Sequence, residues 1–253
     1  MKYPSRIDIP IEKIQETTST NDYLAHLCSQ HKTQEFYTVI ANVQTAGKGQ
    51  RGNTWESETG KNLLFSIVIY PTALEAKHQF YLSMLTAVSI IEALENYTSG
   101  FNIKWPNDIY WDNKKIAGIL IENELQGKYI SQSIIGIGLN VNQKQFCEMS
   151  RRPISLSLAA GRDFDCVEVK RRVVGEFMRH YAMMERGRAD ELFAAYENML
   201  MGRRENMLFC DAQGMFEARV ESVQRDGRLI LRRCDGTLSC YSFKEVESVV
   251  HGY

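Results

Sequence analysis

Between residues 101 and 141 four strand-like stretches follow one another with little chain between them, and this spacing restricts the fold more than any other feature. Residues 101–105 (FNIKW), 109–111 (IYW), 116–122 (IAGILIE) and 133–141 (SIIGIGLNV) are rich in β-branched and aromatic side chains, which suit extended backbone. Asp112-Asn113-Lys114 reads as the turn of a hairpin. A parallel pair needs a crossover of roughly a dozen residues or more, so neighbours this close run antiparallel. The expected class is α+β, with a mainly antiparallel sheet and helices on one face, rather than a repeated βαβ unit.

The flanking sequence supplies the helices. Leu82, Leu85, Val88, Ile91 and Leu94 recur at helical spacing over residues 79–97, and Val173, Phe177, Tyr181 and Met184 form a stripe over 169–184. Residues 189–201 carry the same periodicity. Ser19-Thr20-Asn21 precedes a short run with Leu24, Leu27 and Cys28 on one face, which predicts a capped helix whose N-terminus faces a ligand. Residues 36–43 and 62–70 read as strands. After Gly202 the texture changes to short strands separated by DAQG, QRDG and CDGT, the pattern of a small β-barrel. Two domains are therefore expected, 1–202 and 203–253.

Charge and composition exclude several classes. The 30 basic residues nearly cancel the 31 acidic ones, so no global field draws the chain to nucleic acid or an anionic membrane. The longest apolar runs, residues 63–70 and 134–141, are too short to span a bilayer, and the first residues hold no signal-like apolar run. A cytoplasmic protein with no membrane partner is the expectation. The six cysteines are scattered without CxxC spacing, which argues against a zinc site and predicts buried free thiols. The histidines likewise lack a paired ligand spacing.

Three segments carry chemistry. Gly47-Lys48-Gly49-Gln50-Arg51-Gly52 satisfies GxGxxG, yet no helix pattern follows and the apolar strand SIVIY lies where an acidic residue is required, so a dinucleotide fingerprint is not supported. No GK[ST] completes a phosphate loop of the Walker type. What remains is a polar loop whose glycines let N–H groups approach an anion, with Lys48 and Arg51 adding charge; a plain solvated loop is the alternative. Such a loop, over residues 46–60, is expected to be mobile until an anion gathers it. In Lys104-Trp105-Pro106-Asn107-Asp108 a strand delivers Lys104, Pro106 forces a turn, and Asn107 and Asp108 can meet phosphate oxygens or magnesium. Lys115 opens the return strand, where its ammonium can neutralise a carboxylate and an α-phosphate; a charged surface hairpin is the alternative. Ile135-Gly136-Ile137-Gly138-Leu139-Asn140 is an apolar strand with two glycines, which marks close approach of a ligand or of another backbone.

STN, AGKGQRG-x-x-W, KWPND, K-x-AGIL and GIGLNVN, in this order over residues 19–142, resemble the bacterial biotin protein ligases. The resemblance implies a catalytic domain like that of class II aminoacyl-tRNA synthetases followed by a C-terminal SH3-like barrel. It implies ATP and biotin as substrates, magnesium with the ATP, and transfer of biotin to a biotin carboxyl carrier protein or domain. Ser19, Thr20 and Gln44 would then bond the ureido ring, with Asn21 beside them. Gly47, Lys48 and Gly49 would close over it, and Gly118 would line the bicyclic ring. Lys115 would hold the biotin carboxylate and, with Asp108, form the catalytic pair. Gln50, Arg51, Asn53, Trp55, Asn107, Asp108, Lys115 and Asn140 fall at positions associated with ATP, Trp55 covering the adenine once the loop orders. Asp108 is the expected magnesium ligand, because a hard cation prefers carboxylate oxygen.

The sequence departs from the family where many members have GRGRRGR. Gln50 and Asn53 replace arginines there, so phosphate contacts should be weaker or arise elsewhere. The STN motif begins at Ser19, too early for a winged helix before it, so a specific DNA-binding or repressor role is not expected; a homodimer is left open. A lipoate ligase and a protein that only sequesters biotin or a nucleotide remain as rivals. KWPND and STN favour biotin over lipoate, and phosphate-side groups serve no purpose in mere capture.

Overall fold

The structure, a computed structural model, describes residues 9–31, 33–49, 52–146 and 152–249. In chain order its elements are β1 (Ile11–Thr17), α1 (Thr20–Gln30), β2 (Thr38–Gln44), β3 (Leu63–Ile69), α2 (Phe80–Leu94), β4 (Phe101–Lys104), β5 (Asp108–Trp111), β6 (Lys114–Gln126), β7 (Tyr129–Leu139), α3 (Leu156–Ala160), α4 (Cys166–Glu185), α5 (Ala189–Asn198), β8 (Met207–Asp211), β9 (Gly214–Val223), β10 (Leu229–Arg233), β11 (Leu238–Tyr241) and β12 (Val246–Ser248). The chain divides into two compact units, Met1–Ala76 with Ile116–Gly175, and Lys77–Lys115 with Glu176–Tyr253.

In the first unit the strands lie in the order β1-β2-β3-β7-β6. Every pairing is antiparallel except β1 with β2. That exception has a simple cause: α1 lies between these two strands in the chain and provides the crossover a parallel pair requires. β1 escapes a reading by hydrophobic pattern because it is a half-exposed edge strand. β3 is buried along its whole length, which accounts for its unbroken apolar run. Leu24 of α1 joins Val39, Val68 and Ile134 in one core cluster, fixing the start of α1 over the sheet. Beneath it the register sets Gly136 opposite Ser66 and Leu120, and Gly138 opposite Leu64 and Gly118.

In the second unit α2 buries most of its length and packs on α5 and on the β4–β5 hairpin. Phe80 and Tyr196 meet edge to face with centroids 5.5 Å apart. Asp112 and Asn113, after β5, take φ of 45° and 59°, the left-handed pair that a tight hairpin turn demands. The segment after Gly202 forms a five-stranded antiparallel sheet in the order β11-β10-β9-β8-β12.

Two expectations are corrected. Ser19 stands at the N-cap of α1 but its side chain makes no capping bond. None of the described cysteines is buried: Cys28 and Cys166 are half-buried and Cys210, Cys234 and Cys240 are exposed. Strand alternation turns Cys210 outward beside buried Phe209, and Cys240 lies on edge strand β11. Cys147 is outside the described residues.

Candidate active site

The first α1 turn brings Thr20 and Asn21 down onto β3, where Ser66 is the one polar residue in an apolar strand. Ser66 is fully buried, and Ser19, Thr20 and Asn21 are nearly so. Such groups need partners, because an unmet buried polar atom costs about 1–3 kcal/mol. Gln44 Oε1 accepts from the Thr20 N–H at 2.7 Å and lies 3.0 Å from Thr20 Oγ1. Ser66 Oγ lies 2.7 Å from Thr20 Oγ1 and 2.6 Å from Asn21 Oδ1. Asn21 Nδ2 donates to Glu122 Oε2 at 2.7 Å and reaches the Leu120 carbonyl at 3.4 Å. The three oxygen–oxygen contacts among Gln44, Thr20, Ser66 and Asn21 share only two hydroxyl protons. One of them always lacks a proton.

Glycine forms the floor of this region. A Cβ at Gly136 would strike the Asn21 carboxamide, and one at Gly138 would lie 2.5 Å from the Trp55 indole. Gly118 is the cross-strand partner of Gly138. Trp55 thus lies flat on a bare stretch of β7. It is held there by a short hairpin: Trp55 N–H donates to Gly47 carbonyl at 2.8 Å and Gly49 N–H to Asn53 carbonyl at 2.7 Å. Gly47 is required, since its Cβ would lie 2.6 Å from Trp55 O. Gln50 and Arg51, expected on the ATP side, lie outside the described residues. Asn53 is exposed. Lys48 points its ammonium at Asp22, 2.7 Å away, and that hydrogen bond holds the lysine above its ordinary range. Asn140, at the exit of β7, is buried, donating through Nδ2 to Ile154 O at 3.1 Å. Its Oδ1 is buried with no hydrogen-bond partner among the described residues.

The other expected residues lie in the second unit. Asp108 Oδ1 and Lys115 Nζ form an ion pair at 2.7 Å with about a quarter of each side chain exposed, 29% and 24%. Asn107 is buried and turns its amide to Ser83 Oγ at 3.3 Å. The turn carrying them is anchored on both sides. Pro106 O accepts from the Tyr196 hydroxyl at 2.6 Å; Trp105 Nε1 donates to Gly227 O at 3.0 Å, and its ring meets Phe243 edge to face. Trp105 and Pro106 therefore act as mounts for the turn that carries Asn107 and Asp108. Lys115 lies in β6 three residues before Gly118.

Sequence reasoning missed Ser66 and Glu122. A lone serine inside LLFSIVI is a usable signal, because a polar residue in a buried strand must meet a partner. It also missed the Asn62–Gln143 amide pair: Asn62 donates to Gln143 and to Ser57 Oγ and accepts from Val141 N–H, while Gln143 accepts from Glu58 N–H. This pair ties residues 57–58 to the exit of β7. A metal-type group, Glu92, Glu176 and His180, is present in the second unit. Arg179 hydrogen-bonds all three, so a guanidinium already bridges the two carboxylates and the imidazole, and the His180 and Arg179 contacts hold Glu92 below its ordinary range.

The α+β frame is shared with ligases of known structure. The biotin protein ligase of Aquifex aeolicus in complex with biotin and ATP superposes with a TM-score of 0.78 at 24% identity, over 95% of this chain and 98% of that one, a likeness of fold. The chain belongs to the biotin/lipoate A/B protein ligase family, whose model matches residues 13–140. It is 29% identical to the bifunctional ligase/repressor BirA of Bacillus subtilis over 232 residues, 90% of this chain and 71% of that protein. To the biotin--[acetyl-CoA-carboxylase] ligase of Paracoccus denitrificans it is 35% identical over 108 residues, 41% of this chain and 43% of that one.

Proposed function

We propose that this chain is a biotin protein ligase, joining biotin to AMP with release of pyrophosphate and passing the biotinyl group to a lysine of a biotin carboxyl carrier protein or domain. One observation carries the choice of substrate within the family. The Gln44, Thr20, Ser66 and Asn21 network is short of a proton, and the cyclic urea of biotin brings N–H donors as well as a carbonyl acceptor. The dithiolane of lipoate brings no such donor and would leave the lone-pair contact in place. Ser19, Thr20, Asn21 and Gln44 take the ureido end, Gly118 lines the bicycle, and Gly47 to Gly49 cover it.

Lys115 takes the biotin carboxylate and, as the carboxylate oxygen bonds to the α-phosphorus and pyrophosphate leaves, offsets the charge gathering there. An unprotonated acceptor lysine then attacks the acyl carbon, forming the amide and losing a proton as AMP departs. Asp108, with Asn107, Trp55, Asn53, Asn140, Gln50 and Arg51, serves the nucleotide. Asp108 offers one half-exposed carboxylate, which fits magnesium held mainly through ATP phosphates rather than in a protein cage; when bound, the ion neutralises phosphate charge. We assign 1–202 to catalysis and 203–253 to an SH3-like module, on the five-stranded sheet over β8–β12. No described helix is long and apolar enough to cross a membrane; the reading places the protein in the cytoplasm and requires neither duplex DNA nor a second copy of the chain.

The test is pyrophosphate release with ATP and biotin, with ATP and lipoate, and with ATP alone. Release with biotin only is expected. Release with lipoate only would give the chain to the other branch of the family, and none with either would leave a binding protein.

A further inference from the structure

We infer that Glu122 is a positioning residue that sets the direction of the hydrogen-bond chain at the ureido end, and so determines that the site demands an N–H donor from its ligand. This rests on the biotin reading above. The Asn21 carboxamide is almost wholly buried. Its inner terminus meets two groups that only accept, Glu122 Oε2 at 2.7 Å and the Leu120 carbonyl at 3.4 Å, so that terminus must be the NH₂. The carbonyl end is thereby fixed toward Ser66, 2.6 Å away. Because Asn21 Oδ1 has no proton, Ser66 gives it the only one it owns. The single Thr20 proton then faces two acceptors, Ser66 Oγ at 2.7 Å and Gln44 Oε1 at 3.0 Å, and can meet only one of them. Whichever it serves, one oxygen–oxygen contact of Thr20 is left without a proton.

The network is therefore one proton short at Thr20, between Ser66 and Gln44. A ligand N–H given to Gln44 Oε1 frees the Thr20 proton for Ser66 and removes the shortage, so the energy of one hydrogen bond is gained on binding rather than spent within the protein. Glutamine at position 122 removes the constraint. Its own amide can donate, so Asn21 can turn over, present NH₂ to Ser66, and reverse every step: Asn21 to Ser66, Ser66 to Thr20, Thr20 to Gln44. The network then satisfies itself and the demand for a ligand donor disappears. Glu122 is exposed, so this exchange leaves the packed core untouched.

The experiment compares the unaltered chain with Glu122→Gln in biotin-dependent pyrophosphate release and in thermal unfolding. The expected result is a KM for biotin raised about tenfold, the range of one neutral hydrogen bond. The KM for ATP and kcat at saturating biotin should stay within about twofold, and Tm should be unchanged or higher. A biotin KM within twofold of the original overturns the proposal. So does a fall of kcat and Tm together, the mark of a merely structural role. Absence of biotin-dependent release from the unaltered chain is a different failure: it removes the ligase reading itself and this inference with it.

Discussion

In the first unit Ser66, Thr20 and Asn21 are 0%, 4% and 2% exposed and meet through neutral hydrogen bonds, whereas in the second Asp108 and Lys115 keep about a quarter of their side chains in water and meet through charge. The two arrangements suit different tasks. A buried neutral network has few rearrangements open to it, so it discriminates by the pattern of donors and acceptors it leaves unmet. A half-exposed ion pair is held loosely by comparison, because water can take up either charge when the pair opens. It can give its cation to a carboxylate or phosphate without leaving a bare charge in the core. On the proposed function, recognition and charge handling are divided between a buried cluster and an adaptable pair.

The largest effect expected from this division is on chemistry. Lys115→Ala should lower biotin-dependent pyrophosphate release by roughly 10²-fold to 10³-fold, the usual loss when one electrostatic stabiliser of a transition state is removed. The KM for ATP should change little, and so should stability, since the lysine is partly solvated. Turnover equal to that of the unaltered protein would end the catalytic role of the pair.

The second effect falls on the other side of the comparison. Ser66→Ala deletes a buried hydroxyl and strands Asn21 Oδ1, while Thr20 Oγ1 keeps Gln44 Oε1 as acceptor, at a cost of about 1–3 kcal/mol in folding free energy. A lowered urea midpoint at unchanged slope is the expected signature, together with a raised KM for biotin. If the midpoint stays where it was, the network is not the tightly coupled unit that its distances imply.

The two regions also differed in how well the sequence revealed them. Lys104 to Asp108 and Lys115 lie within one short stretch, so the turn, the returning lysine and the proline could be read together, and the structure pairs Asp108 with Lys115. What the stretch did not reveal is its mounting, because Tyr196, Gly227 and Phe243 come from far along the chain. The neutral cluster draws on α1, β2, β3 and β6, and no local pattern joins Ser66 or Glu122 to Asn21. Long helices such as α2 and α4 were legible from their periodicity. β1 was not, since an edge strand with half its residues in water has only a weak alternation. Resemblance to a family supplied roles for Thr20, Gln44 and Lys115; only the close approach of Asn21 and Trp55 to β7 shows why glycine recurs at 136 and 138.

The smallest effect concerns Lys48, whose charge the sequence offers to an anion and which the structure joins to Asp22. Both side chains are nearly half exposed, 49% and 44%, so the pair should contribute less than about 1 kcal/mol to stability and fade as salt screens it. The sign follows from the raised lysine pKa: the contribution is complete below the ordinary lysine range and is lost as pH rises through the folded value. Lys48→Met should therefore shift the urea midpoint only slightly at neutral pH and low salt, and not at all in molar salt or at strongly alkaline pH. Adenylate formation by the same variant places Lys48 on one side of the comparison or the other. A change within about threefold leaves it as a surface partner of Asp22. A loss of tenfold or more, with the midpoint still unmoved, would mean that the ammonium leaves Asp22 for the nucleotide, and would make the glycine hairpin a third, mobile source of charge beside Lys115.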